Sequence, residues 1–225
     1  MRIYGLNGRL TKILTTSGPP LGAIGSPDGT TAIVSANGGI VQVTNTGRVV
    51  KRVQPSVKVS ACAPRRWWNT TTVLASCNSQ RGPGLPRLWL LPVNGHNATA
   101  LTAQRRDRGP DLGDIGAWEL SSGVYMQATA VGQCTEEFIA TQSHNGSAHQ
   151  VALPGVRAAS DTIVTGRGSS LLVRPDNSAC GGGASLVWFN PHTKKVTWVI
   201  RPPRDVEGVV SAVPFDQVLT GAAAN

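Results

Sequence analysis

One pattern returns along the whole chain and limits what it can fold into. Apolar runs flank a polar turn bearing Asn or Gly in residues 2–14 (RIYGLNGRLTKIL), 40–53 (IVQVTNTGRVVKRV), 88–102 (LWLLPVNGHNATALT), 138–153 (FIATQSHNGSAHQVAL) and 186–200 (LVWFNPHTKKVTWVI). Runs rich in β-branched and aromatic residues around such turns read as β-hairpins. The turn residues Asn7, Asn45, Asn94, Asn145 and Asn190 stand 38, 49, 51 and 45 residues apart. A hairpin cannot bury its apolar face alone, so a unit that recurs must stack on its neighbours. A period of roughly 40–50 residues is that of a four-stranded propeller blade. The sequence therefore predicts an all-β chain, a β-propeller of four-stranded antiparallel blades.

Residues 26–53 hold the most compact copy. An inner strand over 21–26 leads through the turn Pro27-Asp28-Gly29 to a second strand over 31–36, and after Asn37-Gly38-Gly39 an outer hairpin pairs 40–43 with 48–53. Extending this reading gives a single domain over residues 1–217, with blade pieces at 1–16, 20–54, 57–103, 113–154, 159–202 and 206–216, and a frayed tail at 218–225. The six tryptophans are spread among the pieces, as expected if each blade buries large side chains against the next. Four nearly whole blades with a hairpin before them and a lone strand after them predict a ring lacking upstream residues; a closed five-bladed ring is the other reading.

The phrase Ser26-Pro27-Asp28-Gly29 followed by Thr31-Ala32-Ile33-Val34-Ser35, together with Arg66-Trp67-Trp68, the strand 88–92 before Asn94-Gly95, the segment 113–118, Gly132-Gln133-Cys134, Cys180-Gly181-Gly182 and the strand 210–215, resembles the TolB-like propeller proteins of high-GC Gram-positive bacteria. The resemblance runs over nearly the whole chain. It implies the propeller fold, six-bladed in full, and an exported protein of the extracellular space or cell envelope, and it leaves activity open.

Four cysteines admit two disulfides, a zinc site or inert core thiols. No Cys-x-x-Cys pair occurs, and the four histidines sit in or beside the outer hairpin turns, which argues against zinc. Cys62 and Cys77 lie symmetrically about a turn expected at Asn69-Thr70, which sets them opposite each other on paired strands. Cys134 and Cys180 fall at matching ends of the second strand in neighbouring blades. The implied export favours two disulfides, Cys62–Cys77 and Cys134–Cys180, over free thiols.

No Gly-x-Ser-x-Gly elbow, phosphate loop, His-Glu-x-x-His or Cys–His pairing is present. The one suggestive constellation is Asp114, Asp161 and Glu207, each leading into an inner strand of successive units and so expected around one mouth of a central channel. Such carboxylates either hold a divalent cation and act as acid and base, or cap loop amides. The net charge of +9 suits a polyanionic partner if it is concentrated, but the densest clusters, Arg65-Arg66 and Arg105-Arg106 with Arg108, are short, and the second is interrupted by Asp107. The charge therefore reads as scattered. No apolar run approaches the ~18–20 residues of a membrane helix. The resulting expectation is a monomeric, non-enzymatic binding or scaffold module for a protein or an anionic cell-envelope polymer, with no cofactor, nucleic acid or integral membrane segment. The alternatives are a metal-assisted hydrolase or lyase at the channel mouth, and an intracellular scaffold.

Overall fold

The computed structural model describes residues 2–4, 10–13, 22–36, 39–44, 46–53, 59–79, 85–94, 96–104, 111–131, 135–142, 148–156, 160–176 and 185–201. The expected strand over 206–216, the tail, Glu207, Cys134 and Cys180 lie outside the described residues.

Strands β1 (Arg2–Tyr4) and β2 (Leu10–Ile13) form a two-stranded antiparallel ribbon. Four four-stranded antiparallel sheets follow. The first holds β3 (Ala23–Gly25), β4 (Thr31–Ala36), β5 (Gly39–Thr44) and β6 (Val49–Val53); the second, β7 (Val59–Asn69), β8 (Thr72–Ser79), β9 (Arg87–Pro92) and β10 (Thr99–Ala100). The third holds β11 (Asp111–Leu120), β12 (Gly123–Val131), β13 (Thr135–Gln142) and β14 (Ala148–Gln150); the fourth, β15 (Ser160–Arg167), β16 (Ser170–Asp176), β17 (Leu186–Asn190) and β18 (Lys195–Ile200). In every sheet strands pair with their sequence neighbours, the meander of a propeller blade. The all-β class of four-stranded antiparallel blades is thus the one observed.

The chain divides into two compact units, Met1–Arg106 with Phe215–Asn225, and Asp107–Pro214. In the first, Ile33 and Ile40 of one sheet join Cys62, Val73, Ala75, Cys77, Trp89 and Leu91 of the next in one core. In the second, Leu120, Tyr125 and Ile139 join Ile163, Leu171, Val173, Val187 and Phe189. Tryptophan takes part in both cores: Trp89 is buried, and Trp67, Trp118 and Trp198 pack along the margins.

Among the described residues, asparagine side chains build several of the hairpin turns. Asn190 Oδ1 accepts from the N–H groups of His192 and Thr193, both at 3.0 Å, and Asn69 Oδ1 accepts from Thr71 N–H at 2.9 Å. The Ser26–Thr31 turn closes through Ser26 N–H to Thr31 O at 2.8 Å and needs glycine at Gly29, where φ is +69°.

Cys62 and Cys77 are directly opposite and disulfide-bonded, both buried in the first unit's core. The local geometry differs from the expectation in one respect. The turn lies at Thr70–Thr71, one residue later than Asn69-Thr70, with Asn69 facing Thr72. Bulges between Trp67 and Asn69 and between Pro64 and Arg66 then shift the register back, so that Cys62 still meets Cys77. Non-reducing peptide mapping is expected to recover Cys62 linked to Cys77. Replacing both with Ala should lower unfolding stability in urea by about 3 kcal/mol, the chain-entropy value for a loop of about this length; an unchanged midpoint would contradict the assignment of this bond as a constraint on the unfolded chain.

Candidate functional site

The sequence-predicted carboxylates fall inside the second unit. Asp114, on β11 opposite Ala128 and next to a bulge, is completely buried, and Asp161, on β15 opposite Pro175, is 8% exposed. Their strands lie against each other. The approach is close: a Cβ on Gly166 of β15 would lie 3.0 Å from Trp118 Cβ and 3.1 Å from Leu120 Cδ2 of β11, so that either neighbour would have to give way slightly to a larger residue.

The backbone around Asp161 is held by a side chain the sequence reading did not single out. β15 is the edge strand of its sheet, and an edge presents unpaired backbone groups. The Gln127 amide of β12, 2% exposed, satisfies two of them: its Nε2–H donates to Asp161 O at 2.9 Å, and its Oε1 accepts from Ile163 N–H. Beside it, Ser160 Oγ accepts from Glu137 N–H at 2.8 Å and donates to Glu137 O at 3.2 Å, tying β15 to β13. The Asp161 carboxyl gains nothing from this stitching. Its Oδ1 is buried without a hydrogen-bond partner, and burial pushes its pKa up to about 6 from 3.8. Among the described residues, no three of His, Cys, Asp and Glu gather where they could share a metal ion.

The other chemical feature is the charge, which is unevenly divided along the sequence. Residues 1–106 carry thirteen Lys and Arg against a single acid, Asp28, a net of +12, whereas residues 107–225 carry eight against eleven, a net of −3, which together make the chain's +9. The signal was available as a running total; it escapes a search for short clusters because the cations are spaced one to a few per strand. Arg48 and Arg52 are exposed and Lys51 half-buried along the outer strand β6 and the turn before it, next to Val49 and Val50 at 44% and 50% exposure. Arg65 is exposed on the bulge of β7. Arg87 is used internally, its guanidinium 4.5 Å over the Trp89 ring. The lone acid is occupied close to home. Ser26 Oγ–H donates to Asp28, as do Thr30 N–H at 3.1 Å and Thr30 Oγ1–H at 2.9 Å, and these bonds hold the Asp28 carboxyl below its usual pKa.

Fold and site together define an all-β protein of blade-type sheets with one strongly cationic half. The chain matches no family model and no curated protein. Among solved structures it is similar to TolB from Acinetobacter baumannii, at 15% identity over 92% of this chain and 50% of that one with a TM-score of 0.49. It is also similar to a putative TolB from Agrobacterium tumefaciens, at 13% identity over 86% and 65% with a TM-score of 0.49. A puromycin-hydrolyzing peptidase of Mycobacterium tuberculosis is similar at 13% identity over 89% and 33%, with a TM-score of 0.48. The chain thus spans less than two thirds of each of these structures. The fold assignment rests on the strand pairing itself.

Two outcomes follow for the buried node. Gln127→Met keeps the volume but leaves Asp161 O and Ile163 N–H unpaired, and should cost about 2–4 kcal/mol in urea unfolding; a loss under about 0.5 kcal/mol would show that the bridge is dispensable. Asp161 holds its proton more tightly in the folded chain than in the unfolded one. Its contribution therefore becomes a penalty as pH rises from 3.8 to about 6 and stays constant above. Asp161→Asn should remove that slope and raise stability at pH 7 by up to about 3 kcal/mol, measured as unfolding midpoint against pH; a variant that is less stable at pH 7 would assign the ionised carboxylate a favourable role.

Proposed function

We propose that this chain is a non-enzymatic binding module of the exported propeller type, which holds a protein or a cell-envelope component on a rigid β scaffold. The observation that carries the reading is the partition of charge: +12 over residues 1–106, with the one acid there already hydrogen-bonded by its own turn. A surface so unbalanced attracts an anionic partner and suits recognition better than chemistry. The successive meanders support closure into a propeller, and the Cys62–Cys77 disulfide supports an oxidising compartment. In this reading Asp114, Asp161 and Glu207 are structural, and Cys134 and Cys180 form a second disulfide.

The alternative, a metal-assisted hydrolase or lyase using Asp114, Asp161 and Glu207, is favoured by one observation, the buried and unpartnered Oδ1 of Asp161. Two measurements separate the readings. Mixed with washed bacterial envelopes at about 50 mM salt, the protein should sediment with them and return to solution as salt rises toward about 200 mM; protein that stays in solution throughout overturns the binding reading. Its melting temperature should be indifferent to a chelator. A chelator-sensitive transition that Asp161→Ala abolishes would establish the metal enzyme instead.

A further inference from the structure

We infer that the seam between the third and fourth sheets is a latch controlled by one proton: with the Asp161 carboxyl neutral, residues 160–163 of β15 are held to β12 and β13, and with it ionised they come away while both sheets stay folded. The latch stands apart from the binding reading above, and its failure would leave that reading untouched.

The seam has two ends of different character. At one, Gly166 of β15 lies close against Trp118 and Leu120 of β11, and Ser121 N–H donates to Gly168 O at 3.1 Å. At the other the links are polar: Ser160 Oγ meets both backbone groups of Glu137, and the Gln127 amide meets Asp161 O and Ile163 N–H. Ile163 is the first residue of β15 in the apolar core. Residues 160–162 are Ser, Asp and Thr, so their departure uncovers no core side chain, and segments with few buried apolar contacts are the ones that open locally.

Asp161 sits in the middle of these four bonds and works against them. Its Oδ1 is buried without a partner, and a buried carboxylate is costly unless donors or an opposite charge answer it. The strands packed around it bring mostly acids: Asp111, Asp114 and Glu119 on β11, Glu136 and Glu137 on β13, and Asp176 on β16, while β12 carries no charged residue. Arg174 of β16 is the one cation on these four strands, and it donates to Thr162 Oγ1 at 3.4 Å. On β15 itself Arg167 stands at the far end. Ionisation in place therefore meets burial and no answering cation. Moving residues 160–162 into water removes that penalty at the expense of the four bonds.

The direction of the effect follows. Burial raises the Asp161 pKa to about 6 in the closed seam, and exposure in the open seam returns it to 3.8. Opening thus becomes easier as pH rises from 3.8 to about 6, and no easier above. The latch is firm in acid and loosened at neutrality, where the freed edge of β15 offers Asp161 O and Ile163 N–H to a further strand.

The test is residue-resolved hydrogen exchange on the full chain, in chelator-containing buffer between pH 4 and pH 7, corrected for the intrinsic pH dependence of amide exchange and repeated at low urea concentrations. The opening constant read at the Ile163 and Glu137 amides should rise roughly fiftyfold from pH 4 to pH 7. These two amides should be nearly insensitive to urea, because a local opening exposes little surface, whereas the amides of β16 and β17 should show the full urea slope of unfolding. Asp161→Asn should abolish the pH dependence at both amides, and Glu137→Gln should leave it in place at Ile163. A urea slope at Ile163 and Glu137 equal to that of β16 and β17 would mean that the seam opens only when the unit unfolds, and would overturn the latch. A pH dependence that survives Asp161→Asn, or that disappears in Glu137→Gln, would overturn the assignment to Asp161. Should Asp161→Asn fail to fold, the carbon NMR shift of the Asp161 carboxyl in the unaltered chain decides: a midpoint near 6 upholds the latch, and one near 3.8 overturns it.

Discussion

Among the described residues each four-stranded sheet begins at a first strand whose outer backbone edge pairs with no further strand, and the groups that meet those edges hold consecutive sheets in register. Buried peptide groups left without partners cost a kcal/mol or more apiece, so the edge must be met by something. In the second unit Gln127 meets it: one primary amide supplies both the donor and the acceptor that a neighbouring strand would have offered to residues 161 and 163. In the first unit Trp67 plays a related part, its indole N–H reaching Gly25 O on the edge strand β3 while its ring packs on the shared core. Each is a contact between consecutive sheets that depends on direction as well as on area. Apolar packing alone would tolerate sliding; these bonds do not.

How much of this was legible in the sequence depended on how far apart the partners lie. The hairpins were readable because their determinants are adjacent: Asn190 bonds two and three residues ahead, and the Ser26–Thr31 turn closes on itself. The Cys62–Cys77 pairing was also readable, although a displaced turn and two bulges cancelled to produce it, so agreement at the pair concealed disagreement along the strand. Gln127 was not. Its partners lie 34 and 36 residues away on the next sheet, and within VYMQATAV it looks like any polar residue interrupting an apolar strand. Asp161 was chosen for its place at a strand start; what sets it apart is burial without a partner for one oxygen, which no local pattern encodes.

The charge partition belongs to a third category, neither local nor three-dimensional. It is a sum over about half the chain, invisible in a window of ten residues and plain in a running total. Its position relative to the fold gives it meaning, because the near-boundary at residues 106 and 107 is also where the two compact units divide. Charge of one sign confined to one folding unit opposes that unit's own compaction.

That opposition connects the disulfide to the cationic surface. The first unit bears the self-repulsion of its cations with one acid among residues 1–106 to offset it, and Cys62–Cys77 lies within that same unit, between strands of the sheet that follows β6. A cross-link restricts the unfolded ensemble and so raises the free energy of the state that repulsion would otherwise favour. The second unit, whose net charge is near zero, binds its sheets instead with a buried amide and the hydroxyl of Ser160. Among the described residues, each half ties consecutive sheets with a polar bond, Trp67 to Gly25 in the first and Gln127 to residues 161 and 163 in the second, and the first adds the covalent bond.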